Sequence, residues 1–457
     1  MRRARLTALL VAAWLLGSSR AYAETGDAFY FSSNAALSAG AVTADTRDIG
    51  AVWYNPAGLA GSIDNQISLS GFVYGLRLRS LPDVLRSKLP GGYRSASLES
   101  SNIFSVPNAT VYARRITDDV SVGFGIYVTE RDTRTAWTSD RYSVSREQGG
   151  LSYPANVRQH LDTSLDHTKY ALGPAVGWRL TPNFRVGASV FVTYTQRTVT
   201  TGYQVDVTQA DAQNPSVDFL MRQNRISSTE AGVVSTLGIQ WDATPTWRFG
   251  LTLRMPEHRF HQTSEGEFVT GSGREAPGDD DDAKLSTVPA DASGVSGLKV
   301  PPRIVLAASH RFRSGAIVSV EGDYRPALRS AATSVVYRNV GNVRVGFRAP
   351  LGKQFVLGAG AFTDRDQLRL LDAFTSEQID RYGGTVGVTL LTPFSTRDEA
   401  KRDGSLVLAT TVALRYAAGL GQVRGIDLDL ASQTSTLRTF RVTYHELLPF
   451  IGTSISF

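Results

Sequence analysis

The sequence predicts a transmembrane antiparallel β-barrel of about fourteen strands, and three observations lead to this fold class. Apolar residues alternate with polar or small ones, short turns alternate with long polar stretches, and no segment supplies the roughly 20 apolar residues that a membrane-spanning helix needs. The 457 residues include no cysteine, so disulfides do not stabilise the fold. A closed ladder of strands would stabilise it instead, because it pairs every backbone donor and acceptor.

The first residues predict an export signal. Three arginines lie within residues 2–5, an apolar run follows from Leu6 to Gly17, and the small residues of Ala21-Tyr22-Ala23 predict cleavage before Glu24. We therefore expect a signal peptide at residues 1–23, with an uncleaved anchor as the alternative.

The overall composition resembles that of a soluble protein, with 42% hydrophobic residues and a mean hydropathy of -0.13. A barrel gives the same averages, because lipid-facing residues alternate with polar or small interior ones. The 42 glycines favour a sheet with many turns over a helical bundle. The basic pI near 9.4 does not indicate nucleic-acid binding, because the arginines are spread along the chain.

The clearest alternation lies in two segments. Every second residue is apolar from Val120 to Val128, and the pattern repeats from Trp247 to Met255. Such segments fit strands with lipid on one side and a polar interior on the other. The same pattern occurs at residues 184–194, 343–349, 406–416 and 451–457. The terminal Phe457 resembles the signal that the barrel assembly machinery recognises, so we expect that machinery as a partner in insertion.

The connections between strands fall into two kinds. Short ones are predicted at residues 117–119, 181–183, 244–246, 313–315 and 352–354, with a longer sixth turn at 393–403. Long polar loops are predicted at residues 80–103, 131–167, 206–225, 262–299, 326–341, 364–378 and 418–434. This asymmetry predicts fourteen strands with periplasmic short turns and extracellular long loops, and twelve or sixteen strands are the alternatives.

Residues 24–64 precede the first predicted strand and do not alternate. They are rich in small residues, as in Ala35–Ala41, and they contain Asn55-Pro56-Ala57, where Asn-Pro favours an abrupt turn. We expect this segment to fold back into the lumen as a plug and residues 65–457 to form the barrel. A disordered periplasmic tail is the alternative, which the aromatic content disfavours.

These features together resemble the outer-membrane transporters of the FadL/TodX type for long-chain fatty acids and aromatic hydrocarbons. The motifs that carry the resemblance occur in order along the chain: Asn55-Pro56-Ala57-Gly58-Leu59, Trp247-Arg248-Phe249-Gly250-Leu251, Arg254-Met255-Pro256, Val300-Pro301-Pro302, Arg344-Val345-Gly346-Phe347 and Leu357-Gly358-Ala359-Gly360. The resemblance implies a fourteen-stranded barrel closed by an N-terminal hatch that carries Asn55, Pro56 and Ala57. It also implies capture of a hydrophobic ligand by extracellular loops and its passage by diffusion, without ATP.

The candidate ligand-binding residues are three aromatic residues before the first strand and three arginines on predicted strands: Phe29, Tyr30, Phe31, Arg248, Arg254 and Arg344. The aromatic residues suit the lining of a hydrophobic pocket. The arginines would attract a carboxylate; the alternative is that they pair with Asp or Glu across the lumen.

The motifs of catalysis and metal binding are missing. The six histidines show no metal-ligand spacing, and the sequence contains neither a nucleophile elbow nor a phosphate-binding loop. We therefore expect no enzymatic activity, no cofactor and no metal. The acidic run Asp279–Asp282 is interpreted as a solvated loop, with a divalent-cation site as the alternative.

The expected partners are a hydrophobic small molecule and the lipid and lipopolysaccharide of the outer membrane, without nucleic acid, and we expect a monomer. Two other functions remain open. One is a general porin or structural barrel without a plug, and the other is a lipid-acting barrel enzyme with a Ser/His pair at the lipid boundary.

Overall fold

The computed structural model describes residues 29–61, 65–89, 92–148, 151–209, 216–275, 284–289, 292–293, 297–329, 336–371, 374, 376–394, 406–429 and 434–457. The predicted signal peptide, the acidic run Asp279–Asp282 and most of the predicted turn at 393–403 lie outside these residues. Among the described residues, no helix is both long enough and apolar enough to span a membrane.

Three short helical elements precede the first strand. Helix α1 spans Ser33–Leu37, helix α2 spans Ala51–Tyr54, and a 3-10 helix spans Pro56–Gly61. Ser32 caps α1, because its hydroxyl accepts a hydrogen bond from the backbone N–H of Ala35 at 3.3 Å.

Strands make up nearly all of the remaining described chain. In order they are β1 Gln66–Leu89, β2 Gly92–Arg115, β3 Val120–Gln148, β4 Leu151–Thr181, β5 Phe184–Gln209, β6 Ser216–Asp242, β7 Trp247–Arg254, β8 Glu257–Glu275, β9 Lys284–Pro289, β10 Ala292–Ser293, β11 Gly297–Val300, β12 Arg303–Arg311, β13 Ile317–Arg325, β14 Leu328–Arg329, β15 Val336–Tyr337, β16 Val340–Leu351, β17 Phe355–Asp364, β18 Glu377–Phe394, β19 Leu406–Asp429 and β20 Thr434–Ser456. The main sheet contains 18 strands, while β14 and β15 form a separate pair.

The main sheet closes on itself. Strand β1 pairs antiparallel with β2 on one side and with β20 on the other, from Gln66↔Ser456 to Ser80↔Thr443. Because the first and last strands pair, the sheet lacks the exposed edges of an open sheet at this seam. The prediction of an all-β antiparallel barrel is confirmed.

The number of strands differs from the predicted fourteen. The main sheet has 18 separate strands within the described residues, partly because prolines interrupt crossings of the wall. Pro256 separates β7 from β8, both of which pair with β6, and Pro301-Pro302 separates β11 from β12. Proline lacks the N–H that a sheet ladder needs, which weakens the pairing at these positions.

The five short turns lie where the sequence predicts them, but most of the predicted long loops are strand. The polar residues 80–103 belong largely to β1 and β2, and residues 131–167 to β3 and β4, which stay paired from Arg131↔Thr168 to Gln148↔Leu151. The prediction ended these strands where lipid-facing apolar residues stop. A strand surrounded by water needs no apolar face to continue, because its neighbour still pairs its backbone.

The barrel wall has its apolar side outward, as strand β16 shows. Val343, Val345 and Phe347 are 51%, 42% and 45% exposed, whereas Arg344 and Arg348 are buried. A soluble protein would show the opposite pattern. This arrangement fits a wall with lipid outside and a polar interior.

Candidate ligand-binding site and the N-terminal segment

The N-terminal segment, defined here as Phe29–Gly61, is almost entirely buried against strands from opposite sides of the barrel. The backbone of Pro56 lies against Gly187 of β5, and Ser38 lies against Gly346 of β16. A Cβ atom at either glycine would collide with the segment, so the bare backbone is what allows this close approach. The segment is therefore in close contact with strands on two sides of the closed sheet.

Asn55 fixes the middle of this segment. Its side chain is fully buried, and its Nδ2 donates to the backbone oxygens of Thr43 (2.8 Å) and Ile239 (3.0 Å). Its Oδ1 accepts from the backbone N–H of Ala57 (3.2 Å). Asn55 therefore ties the predicted Asn-Pro-Ala motif both to the segment and to strand β6. A role of this motif as a gate stays a prediction.

Charged side chains hold the segment near the short-turn end of the barrel. The carboxylate of Asp45 accepts from Arg248 and, at 2.7 Å, from Arg348. Arg47 pairs with Asp242 at 2.6 Å, and Arg185 pairs with the same carboxylate. Removing one member of a buried pair leaves an uncompensated charge, so these contacts oppose detachment of the segment.

Two of the three candidate arginines are engaged by carboxylates of the protein. Arg248 contacts Asp45, and Arg344 donates to Glu321 at 3.1 Å. Both therefore pair with carboxylates, as in the alternative role, but not across the lumen: Asp45 belongs to the N-terminal segment, and Glu321 is the direct neighbour of Arg344 on β13. Arg254 differs: its guanidinium lies 4.1 Å from the centroid of the Trp53 ring and donates to the Trp53 carbonyl oxygen at 3.3 Å.

A buried aromatic cluster forms where the segment meets the wall. Its members come from the segment and from strands β1, β3, β5 and β20: Phe29, Phe31, Trp53, Phe72, Tyr127, Phe191 and Phe450. Ring centroids lie 5.0 Å apart for Phe31–Trp53, 5.2 Å for Trp53–Phe191 and 5.2 Å for Phe29–Phe72. The predicted Phe29 and Phe31 thus belong to this cluster, and Tyr30 is buried beside it, 6.5 Å from Phe72.

Sequence reasoning missed the wall members of the cluster. Tyr127 stands in the otherwise polar row of β3, with Ser121, Gly123 and Gly125, so an aromatic residue on an inward face was a usable signal. The Tyr127 hydroxyl is buried and has no hydrogen-bond partner within the described residues. A buried hydroxyl without a partner costs about 1–3 kcal/mol, so a polar ligand group that paired with it would recover that cost.

Further from the short turns, the interior carries a belt of ion pairs. Glu446 accepts from Arg77 (2.6 Å), Tyr444 (2.7 Å) and Arg415. Asp132 accepts from Arg79 at 3.0 Å. This ionic belt separates the aromatic cluster from a second group of buried apolar residues.

That second group, the outer apolar cluster, lies on the far side of the ionic belt and includes Leu81, Leu85, Leu161 and Val442. Strand β1 gives the order, because Phe72, Arg77 and Leu81 follow one another along it. The interior therefore changes from apolar to ionic to aromatic between the far end and the N-terminal segment.

The ladder of the wall is interrupted beside the aromatic cluster. Within the described residues, β2 and β3 pair only between Ala109↔Tyr127 and Arg115↔Ser121. Beyond this point β2 continues to pair with β1, and β3 with β4. Asn108, next to the last pair, donates to the backbone oxygen of Tyr30. The interruption of the ladder therefore adjoins the segment.

A loop cap covers part of the far end. It consists of the β14–β15 pair and residues 365–371, joined by hydrogen bonds from Arg338 N to Gln367 O (2.8 Å) and from Arg369 N to Val336 O (3.1 Å). Asp366 accepts from the backbone N–H groups of Leu368 (2.9 Å) and Ile379 (3.3 Å). Burial raises the pKa of the Asp366 carboxyl, which is half-buried, to about 7.

The histidines that the structure describes do not form a candidate metal site. In the part of the chain that the structure describes, no three or more His, Asp or Glu side chains are grouped so as to hold a metal ion. His167 contacts Glu130 at 2.9 Å, and His310 packs against Trp247 with ring centroids 4.6 Å apart.

Comparisons with known proteins agree with this architecture. The family model described as "Outer membrane protein transport protein (OMPP1/FadL/TodX)" matches residues 31–315. A Pseudomonas aeruginosa FadL homologue is similar in structure, with 12% identity, a TM-score of 0.57 and coverage of 93% of this chain and 98% of that one. The P. putida toluene transporter TodX is also similar in structure, with 13% identity, a TM-score of 0.56 and coverage of 94% of this chain and 98% of that one.

The Ralstonia pickettii toluene transporter TbuX is similar in structure with 12% identity, a TM-score of 0.52 and coverage of 93% of this chain and 98% of that one. At such identities these structures establish similarity of fold. A search of curated proteins returns no match.

We expect Asp45→Asn to loosen the N-terminal segment. The substitution keeps the shape of the side chain but leaves the buried Arg248 and Arg348 without their shared carboxylate, at a cost of about 3–5 kcal/mol. Hydrogen–deuterium exchange of residues 41–49 should become faster by more than about tenfold, since 1.4 kcal/mol is a factor of ten. Asp162→Asn, in an exposed carboxylate of β4, is the control. Wild-type exchange in the Asp45 variant would contradict the anchoring role.

We also expect the loop cap to open as pH rises. With a pKa near 3.8 when solvated and about 7 in the closed cap, Asp366 holds a proton only in the closed state between these values. Protonation of Asp366 therefore stabilises the closed cap fully below pH 3.8, and this stabilisation is lost as pH rises through 7. Exchange of residues 365–371, corrected for intrinsic rates, should rise from pH 5 to pH 8. Asp366→Asn should abolish the dependence; its persistence in that variant would exclude Asp366 as the cause.

Proposed function

Because the chain belongs to the OMPP1/FadL/TodX family of outer membrane transport proteins, we propose that it carries hydrophobic molecules such as long-chain fatty acids or aromatic hydrocarbons across the outer membrane by passive diffusion. Family membership makes it a transport protein of the bacterial outer membrane and not an enzyme. Two further statements are our proposals: that the N-terminal segment gates transport as a hatch, and that the ligand belongs to this hydrophobic class.

The aromatic cluster is the observation that carries this proposal. Phe29, Phe31 and Trp53 belong to the segment, whereas Tyr127 and Phe191 belong to the wall, and all of them are buried together. A hydrophobic ligand that enters the cluster gains about 25 cal/mol for each Å² of apolar surface it buries. It can enter only by displacing aromatic rings of the segment. Ligand binding and movement of the segment are thereby coupled, which is what a hatch requires.

The sequence of environments in the lumen supplies a route. The outer apolar cluster would capture the ligand at the end expected to be extracellular, and the ionic belt follows before the aromatic cluster. From there the interruption of the β2–β3 ladder offers a place where the wall could open sideways. A hydrophobic ligand is more stable in the bilayer than in water, so we propose this opening as its exit.

Polar groups beside the cluster support a ligand that carries a head group. The Tyr127 hydroxyl, which has no hydrogen-bond partner in the part of the chain that the structure describes, lies at the cluster, as does the Arg254 guanidinium, which stacks on Trp53. A carboxylate would satisfy the hydroxyl and be attracted by the guanidinium. Two similar structures are described as toluene transporters, and toluene has no such group. We therefore favour an amphiphilic ligand of the fatty-acid type for this chain.

A general porin is the other candidate, and the charged lumen favours it. The ionic belt and the anchors of Asp45 would suit an aqueous pore. A porin, however, gains nothing from a buried segment whose aromatic side chains fill the lumen.

Deleting residues 29–61 separates the two functions. The transporter proposal predicts large, non-selective conductance in planar bilayers together with loss of oleate uptake in cells, because both the closure and half of the aromatic cluster are lost. Phe31→Ala is the companion variant, since it empties part of the cluster while the anchors of Asp45 remain. It should weaken oleate binding without raising conductance. Unchanged conductance and uptake after the deletion would refute the hatch.

Tyr127→Phe tests the class of ligand. If the hydroxyl pairs with a carboxylate, its removal should weaken oleate binding about fivefold, as expected for one hydrogen bond of about 1 kcal/mol. Toluene binding should stay unchanged. Tyr382→Phe, in an outward-facing tyrosine of β18 that is 46% exposed, is the matched control. Equal effects on oleate and toluene would count against a head-group contact, and calorimetry with both ligands measures the difference.

A further inference from the structure

The outer surface of the wall changes from apolar to polar at one height across four neighbouring strands. The last apolar row consists of directly paired residues: Val128, Tyr170, Tyr194 and Ala231. The next outward-facing row is polar: Arg131, Thr168, Gln196, Thr229 and Thr263. Tyrosines are typical of the membrane–water interface, and Tyr170 and Tyr194 are 37% and 39% exposed. The boundary of the hydrocarbon layer therefore runs between these two rows.

The polar row lies on the side away from the short turns, where the extended hairpins project. With periplasmic short turns, as is usual for bacterial barrels, this side faces the outer leaflet. The row is thus at the height of lipid head groups.

A groove of about 380 Å³ indents the wall at this height. Its lining residues are all polar and combine small hydroxyl side chains with longer amide and charged ones: Arg131, Asp166, Thr168, Gln196, Arg197, Thr198, Ser227, Ser228, Thr229, Thr263 and Glu265. We call it the outer-wall groove. Small residues at the centre of a wall of longer side chains explain the indentation.

The hydroxyls of the groove are arranged in pairs with spare capacity. Thr198 Oγ1 and Ser227 Oγ lie 3.1 Å apart, and Thr229 Oγ1 and Thr263 Oγ1 lie 2.6 Å apart. One hydrogen bond within a pair uses one of two donors and one of four lone pairs. Each pair can therefore both donate to and accept from a ligand, as hydroxyl groups of a sugar require.

The charges of the groove give an anion no net attraction. Arg131 pairs with Asp166 at 2.9 Å and also donates to Thr168, which compensates its positive charge. Arg197 and Glu265 add one charge of each sign, so the formal charges of the lining sum to zero. A phosphate therefore finds no excess of positive charge here, whereas neutral sugar hydroxyls can donate to the carboxylates.

From this geometry we propose that the outer-wall groove binds the neutral sugar part of an outer-leaflet glycolipid. The acyl chains of the same molecule pack on the apolar rows directly below, which include Leu172 and Val192 (42% and 46% exposed) beside Tyr170 and Tyr194. The site lies on the outside of the wall, so it is separate from the lumen and independent of the transported ligand.

The test is lipid binding by the purified full-length barrel. Rough lipopolysaccharide, its chemically dephosphorylated form and phosphatidylglycerol are offered in mixed micelles, and bound lipids are counted by native mass spectrometry. Wild-type protein should bind both glycolipids alike and in preference to phosphatidylglycerol. Thr198→Val combined with Thr229→Val should weaken both glycolipids about tenfold, the loss expected for one to two hydrogen bonds.

Thr135→Val, in an exposed hydroxyl of β3 outside the groove, is the matched control and should bind as wild type does. Ser227→Ala removes a groove hydroxyl without adding volume and should also weaken both glycolipids, so the result does not depend on the folding of the double variant. The proposal is overturned if dephosphorylation abolishes binding to the wild type, or if these groove variants bind glycolipid as tightly as the control.

Discussion

The closed backbone ladder is the constraint on which the rest of the structure depends. In a bilayer an unpaired N–H or C=O group has no water to bond, so every strand must have two partners, and β1 finds its second partner in β20. Closure in turn divides each strand into a lipid side and an interior side. Val345 and Phe347 must point outward, and Arg344 and Arg348 are left for the inside. The polar interior is thus a consequence of the apolar exterior.

Charges that point into a closed space need partners, and the N-terminal segment provides some of them. Asp45 neutralises Arg248 and Arg348, and Glu321, which binds Arg344, also accepts from the backbone N–H of Thr43 at 3.1 Å. Glycines such as Gly187 and Gly346 then set how closely the segment approaches the wall. The same segment adds Phe29, Phe31 and Trp53, so one element both neutralises arginines of the wall and contributes to the buried aromatic cluster.

How much could be predicted depends on whether the signal is local. The turn at Thr117–Asp119 and the outward row of β3 follow from period and turn chemistry, and both lie as predicted. The same reasoning stopped β3 near Glu130, because beyond that residue both faces meet polar surroundings and the alternation disappears although pairing continues to Gln148. The partners of the ion pairs could not be predicted from the sequence for a different reason. Arg348 and Asp45 are 303 positions apart, and only the packing of the N-terminal segment against the wall brings them together.

The interruption between β2 and β3 links the wall to the segment. A ladder that ends inside a membrane wall leaves backbone groups without strand partners, which is costly unless other groups cover them. Here side chains and the segment cover the interruption from inside. Asn108 donates to the backbone oxygen of Tyr30, and Tyr127, the last residue of β3 that pairs with β2, packs on Phe31 and Trp53 at 5.0 and 4.8 Å. Whatever displaces these aromatic rings therefore also uncovers the interruption. In the proposed function, entry of a hydrophobic ligand into the aromatic cluster would therefore be coupled to movement of the segment and to exposure of the interruption.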